Sequence, residues 1–189
     1  MLKLKSSNLI SKAVLSFLLI WGAASFFLFP SFPLIKWFVL GLSTLAFLLI
    51  FFKSGDFFLF ILASFSNLYA FYGLLFTYNL SLWLVLIGVV IIFSTIFLIL
   101  SPKIIPDRDR LPLFLAFFFI LVSEVFLALS FWLVNPLTRS LIVALFVYIF
   151  FGFLSSLKGE IFAGRNFRLY VYFATVVLLL LVLTVSWGS

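Results

Sequence analysis

One carboxylate in this chain lies where carboxylates are rarely found. Glu124 falls near the middle of PLFLAFFFILVSEVFLALSFWLV, Pro112 to Val134, a run long enough to cross a bilayer. A charged side chain at that depth costs about 3 kcal/mol or more, so intramembrane acids usually face protein or water. No Lys or Arg is expected at the same depth to pair with it. Polar residues elsewhere fall at similar predicted depths: Ser43 and Thr44, Asn67, Ser123 beside Glu124, and Tyr148. Together they define a candidate intramembrane polar cluster. Its chemistry would be either binding of a proton or small solute, or hydrogen bonding between helices at about 0.6–2 kcal/mol per bond.

Other chemistry is thinly represented. The chain has no His and no Cys. Disulfides, thiol nucleophiles, Cys/His zinc sites and haem with an axial His are thereby excluded. Asp107 and Asp109 stand two apart in PDRDR, but each has an arginine beside it and no third ligand is evident. That segment reads as a solvated, self-paired loop, and no metal or cofactor is expected. Acid–base catalysis would fall on Glu124 or this loop, and neither has an evident partner. An enzyme is the least favoured class.

These residues must be positioned by elements suited to lipid. The 189 residues are 67% hydrophobic and 9% charged, with 30 Phe. A soluble domain is about 45–50% apolar and about 25% charged. The fold class is therefore all-α, a polytopic transmembrane bundle. Seven spans are expected, over about 9–29, 34–52, 57–76, 80–100, 112–134, 137–157 and 169–187. Each matches ~30 Å of hydrocarbon at 1.5 Å per residue. The first run resembles a signal peptide at Gly22-Ala23-Ala24, but apolar sequence continues past it to Phe29, so a retained span is expected. All six prolines (30, 33, 102, 106, 112, 136) fall at predicted boundaries. The connectors are short, so residues 1–189 read as one transmembrane domain without a soluble one.

Within span five, Glu124, Ala128, Asn135, Ala116, Ser123 and Ser130 share a helical arc expected to face the bundle. Leu115, Phe118, Val122, Val125, Leu129 and Trp132 share the opposite arc, expected to face lipid. In span three, Ala63, Ser66, Ala70 and Gly73 form a small-residue stripe suited to close helix packing.

Charge sets the expected orientation. Seven spans put Lys3, Lys5, Lys12, Lys53, Lys103, Arg108, Arg110, Lys158, Arg165 and Arg168 on the N-terminal side, and only Lys36 and Arg139 on the other. By the positive-inside rule the N-terminus is cytoplasmic and the C-terminus external. Trp37, Trp83, Trp132 and Trp187 fall at the outer ends of their spans, as an interfacial belt would. Lys103, Arg108, Arg110, Lys158, Arg165 and Arg168 are candidate contacts for anionic lipid heads. The net charge of +7 is thus a membrane signal, with no nucleic-acid partner expected. The expected function is that of a non-enzymatic membrane subunit, scaffold or assembly factor in a bacterial-type cytoplasmic membrane, with the lipid bilayer and either other membrane proteins or further copies of itself as partners. The alternative is a transporter or channel component that moves a small solute or proton past Glu124.

Overall fold

The computed structural model describes residues 2–29, 33–52, 56–104, 111–132, 134–156 and 163–184. Among them the secondary structure is entirely helical, in seven elements. These are α1 (Leu2–Leu28), α2 (Pro33–Phe52), α3 (Asp56–Thr77), α4 (Leu82–Ile104), α5 (Leu111–Ser130), α6 (Pro136–Ser156) and α7 (Ala163–Thr184). The first six are long and apolar enough to cross a membrane. In α7, which runs on from the basic segment read from sequence as a connector, the apolar stretch among the described residues is Arg168–Leu181. The chain is an integral membrane protein, and its apolar helices meet lipid directly. In lipid a helix satisfies its own backbone hydrogen bonds, which is why this composition folds as helices alone.

Local signals fix several helix ends. Pro33 and Pro136 open α2 and α6, where the missing N–H is not needed. Asn135 caps α6: the Thr138 N–H donates to its Oδ1 at 2.8 Å. After α3, Asn79 takes a left-handed φ of 52°, which Asn tolerates, and the Leu80 N–H closes back on the Leu74 carbonyl at 3.4 Å. Pro102 departs from expectation, since α4 continues through it to Ile104.

Helix α3 is the axis of the bundle. It packs on α1 and α6 most extensively, and also on α4 and α2. Of its membrane-spanning residues 72% are buried, against 22% for α2 and for α5. Residues on α1 and α3 match in parallel order: Gly22 meets Ser66, and Phe29 meets Gly73. A Cβ at Gly22 would lie 2.6 Å from the Ser66 Cβ, and one at Gly73 would overlap the Phe29 ring. Glycine at both positions is what lets the two helices approach. Ala63, Ser66, Ala70 and Gly73 are all buried along this seam. Helix α6 runs antiparallel to α3, with Phe60 packed on Phe151 at 3.8 Å between centroids. Helices α4 and α5 complete that side through Phe97, Phe118 and Phe150, with Phe118 stacked on the other two at 5.2 and 5.1 Å. Helix α7 lies outside α6, touching it through Tyr148 and Tyr170 at 5.1 Å.

The face assignment for α5 is inverted relative to the sequence expectation. Phe118, Val122, Phe126 and Leu129 are buried, whereas Ala116, Glu124 and Ala128 are exposed. The reason is physical. Lipid tails are as apolar as Phe, so polarity does not drive large apolar side chains outward or inward. Shape decides instead, and Phe118 fills a space bounded by Phe93, Phe97, Phe150 and Phe151 that a smaller residue would leave open.

Candidate functional site: the outward face of α5 and the upper rim

The end of the bundle where α1, α3 and α5 finish is called here the upper end. On α5, Leu113, Phe117, Ile120, Glu124 and Ala128 recur at three- and four-residue spacing, and all are exposed. They form one continuous stripe on the outside of the bundle. Glu124 lies six residues below Ser130, the last residue of α5. That is a rise of ~9 Å, and too far for a glutamate side chain to reach the upper surface. No described residue donates a hydrogen bond or a charge to its carboxyl. Ser123 beside it is half-buried.

The other members of the sequence-derived polar cluster lie elsewhere. Asn67 is fully buried between α3 and α1. Its amide donates to the Leu18 carbonyl at 3.1 Å and to the Ala63 carbonyl at 2.8 Å, and its Oδ1 has no partner. It therefore joins two helices, and it faces away from the Glu124 stripe. Thr44 is exposed and bonds its own helix, donating to the Leu40 carbonyl at 2.9 Å. Ser43 is buried on the other side of α2, with its hydroxyl unpartnered. Tyr148 packs against Tyr170 and Phe173 of α7. A single midplane cluster around Glu124 is not formed, because these side chains point into different seams or out of the bundle. Of the basic residues assigned to lipid heads, Arg168 is exposed. Arg108, Arg110 and Lys158 fall outside the described residues, as do the side chains of Lys103 and Arg165.

The upper rim holds a residue whose role sequence reasoning missed. Arg139, counted there only as an external charge, is buried with 6% of its surface exposed. Its guanidinium lies over the Phe76 ring, 3.9 Å from the centroid, and 5.8 Å from that of Tyr72. Its Nη2 donates to the Trp132 carbonyl, while Nε and Nη1 are buried without partners. Tyr72 in turn donates to the Phe126 carbonyl at 3.2 Å, an oxygen that also accepts from Ser130 at 2.8 Å. Arg139 thus fastens the start of α6 to the end of α5 and to α3. Its position three residues after Pro136 was legible, but its inward turn depends on Tyr72 and Phe76, which lie more than sixty residues earlier in the chain. A cavity of about 330 Å³ opens at this rim, lined by Leu75, Phe76, Asn79, Leu80, Leu82, Ser130 and Phe131. Glu124 does not line it.

Comparison with known protein families, with curated proteins and with solved structures finds no match to this chain. The class defined here is therefore the one its own geometry gives: a helical integral membrane protein with an acid on its outer surface.

Proposed function

We propose that this chain is a non-enzymatic membrane subunit or scaffold whose α5 stripe receives another transmembrane protein surface. The observation that carries the reading is Glu124, exposed ~9 Å below the end of α5 without a partner among the described residues. A lone acid facing lipid is costly, and intramembrane acids pair with protein groups. A protein surface placed against the stripe would remove that cost. The transport alternative is weaker. It needs Glu124 to line an internal path, and the interior beside α5 is filled by Phe118, Phe126, Phe150 and Phe151. In this reading the chain is one transmembrane unit of seven spans in a bacterial-type cytoplasmic membrane. The N-terminus is cytoplasmic and the upper end external. The ten-to-two distribution of basic residues and the exposed Trp83 and Trp132 near the upper end support that orientation.

The test is photo-crosslinking in native membranes, with a benzophenone amino acid at Ile120, one turn below Glu124 on the same stripe. Protein adducts from Ile120, but not from the equally exposed Val176 of α7, are expected. Lipid adducts alone from Ile120 would contradict the reading.

A further inference from the structure

The chain carries a cation that matches the unpaired acid. Lys36 stands three residues into α2, is half-buried at the edge of that helix's exposed face, and has no described partner. Its depth can be traced through the packing. Trp37 meets Phe27 of α1 edge-on at 6.4 Å between centroids, and the adjacent Phe26 stacks on Tyr69 of α3 at 4.0 Å. Tyr72 of α3 stacks on Phe126 of α5 at 4.6 Å. Helices α1, α3 and α5 run in the same direction, so Trp37 and Glu124 both lie level with about residue 70 of α3. Lys36 and Glu124 therefore differ in depth by less than about one helical turn, ~5 Å. The four-carbon stem of a lysine spans that difference.

Within one molecule the two cannot meet. Helix α2 packs on α1 and α3, whereas α5 packs on α4 and α6, so the charges stand on separate sides of the bundle. Each molecule thus presents an acid on one side and a cation on another, at matching depth and in the same membrane orientation. We propose that a second copy of this chain covers the Glu124 stripe, with Lys36 of its α2 paired to the Glu124 carboxylate. Leu34, Trp37 and Phe38 of α2 surround the lysine with exposed apolar surface, as Ile120 and Ala128 flank the acid. Because the two patches differ, the contact is head-to-tail, and it closes into a ring or continues as a row in the membrane plane. This inference rests on the reading of α5 as a protein-binding face.

The test is charge reversal, read by energy transfer between labelled copies of the full chain reconstituted in phosphatidylcholine vesicles. Wild type is expected to show transfer above that of randomly placed monomers. E124K alone and K36E alone should each weaken association about tenfold or more. A mixture of E124K with K36E should recover it, since each variant then offers the charge the other lacks. Recovery in the mixture also shows that both variants are folded. A monomeric wild type, or single reversals that associate as well as wild type, would overturn the proposal. If wild type is monomeric while Ile120 still crosslinks to a different protein in native membranes, the α5 reading stands and self-association falls. If Ile120 reaches only lipid, both fall.

Discussion

The guanidinium of Arg139 stacks on the ring of Phe76, 3.9 Å from its centroid. Through this contact the first turn of α6 is tied to the last turn of α3 at the upper end of the bundle. A planar cation over an aromatic face is worth about 2 kcal/mol where water is excluded, and a lysine cannot reproduce the flat stack. R139K should therefore lower stability by about 1–3 kcal/mol, read as a lower thermal midpoint in detergent. F76L should have a similar effect. Unchanged midpoints for both would show that the stack contributes nothing.

The α1–α3 seam predicts intolerance of size. G73L places a branched side chain where the Phe29 ring already lies, and should abolish folding or leave a molecule that aggregates on extraction. N67A removes the amide that reaches the Leu18 carbonyl and should cost about 1–2 kcal/mol. Monodispersity on size exclusion and thermal midpoints check both.

Phe118 and Glu124 should behave in opposite ways. Phe118 is fully buried among four phenylalanines, so F118A should destabilise by about 3–5 kcal/mol. Glu124 bonds to none of the described residues, so E124A should leave the stability of the isolated monomer within about 0.5 kcal/mol. Thermal unfolding of both variants in detergent separates them. A large loss for E124A would mean that its carboxyl does bond within the chain.

Orientation follows from charge and is checked by labelling. The chain has no cysteine, so single cysteines can be introduced without background. Lys103→Cys should react with a membrane-impermeant maleimide only after the cytoplasmic side is opened, and Asn79→Cys and Asn135→Cys should react from outside. External reaction at Lys103→Cys would overturn the seven-span, N-terminus-inside arrangement.

Much of the architecture was legible in the sequence because lipid leaves few choices. Runs of about twenty apolar residues separated by Pro33, Asn79 and Asn135-Pro136 could only be helices and their turns. The small-residue stripe from Ala63 to Gly73 shares a seam with α1 because small side chains serve one purpose there, close approach. The facing of α5 was not legible. Its arc of small and polar residues suggested an inward side, but which side turns inward depends on the cavity that Phe93, Phe97, Phe150 and Phe151 leave for Phe118. Those residues lie on α4 and α6, and no local pattern in α5 encodes them. Arg139 escaped notice for the same reason: its place three residues after a proline marks it as a rim charge, and only Tyr72 and Phe76 on a distant helix turn it inward.

The central claim is that the α5 stripe is covered by protein when the molecule is in its membrane. Spin labels at Ile120→Cys and Val176→Cys, positions that are both 56% exposed in the isolated chain, report this through their collision rate with dissolved oxygen. In native membranes the label at 120 is predicted to be shielded while the label at 176 stays accessible, and dilution into excess detergent should make the two equal. Equal, high oxygen access at both positions in the native membrane would contradict the account.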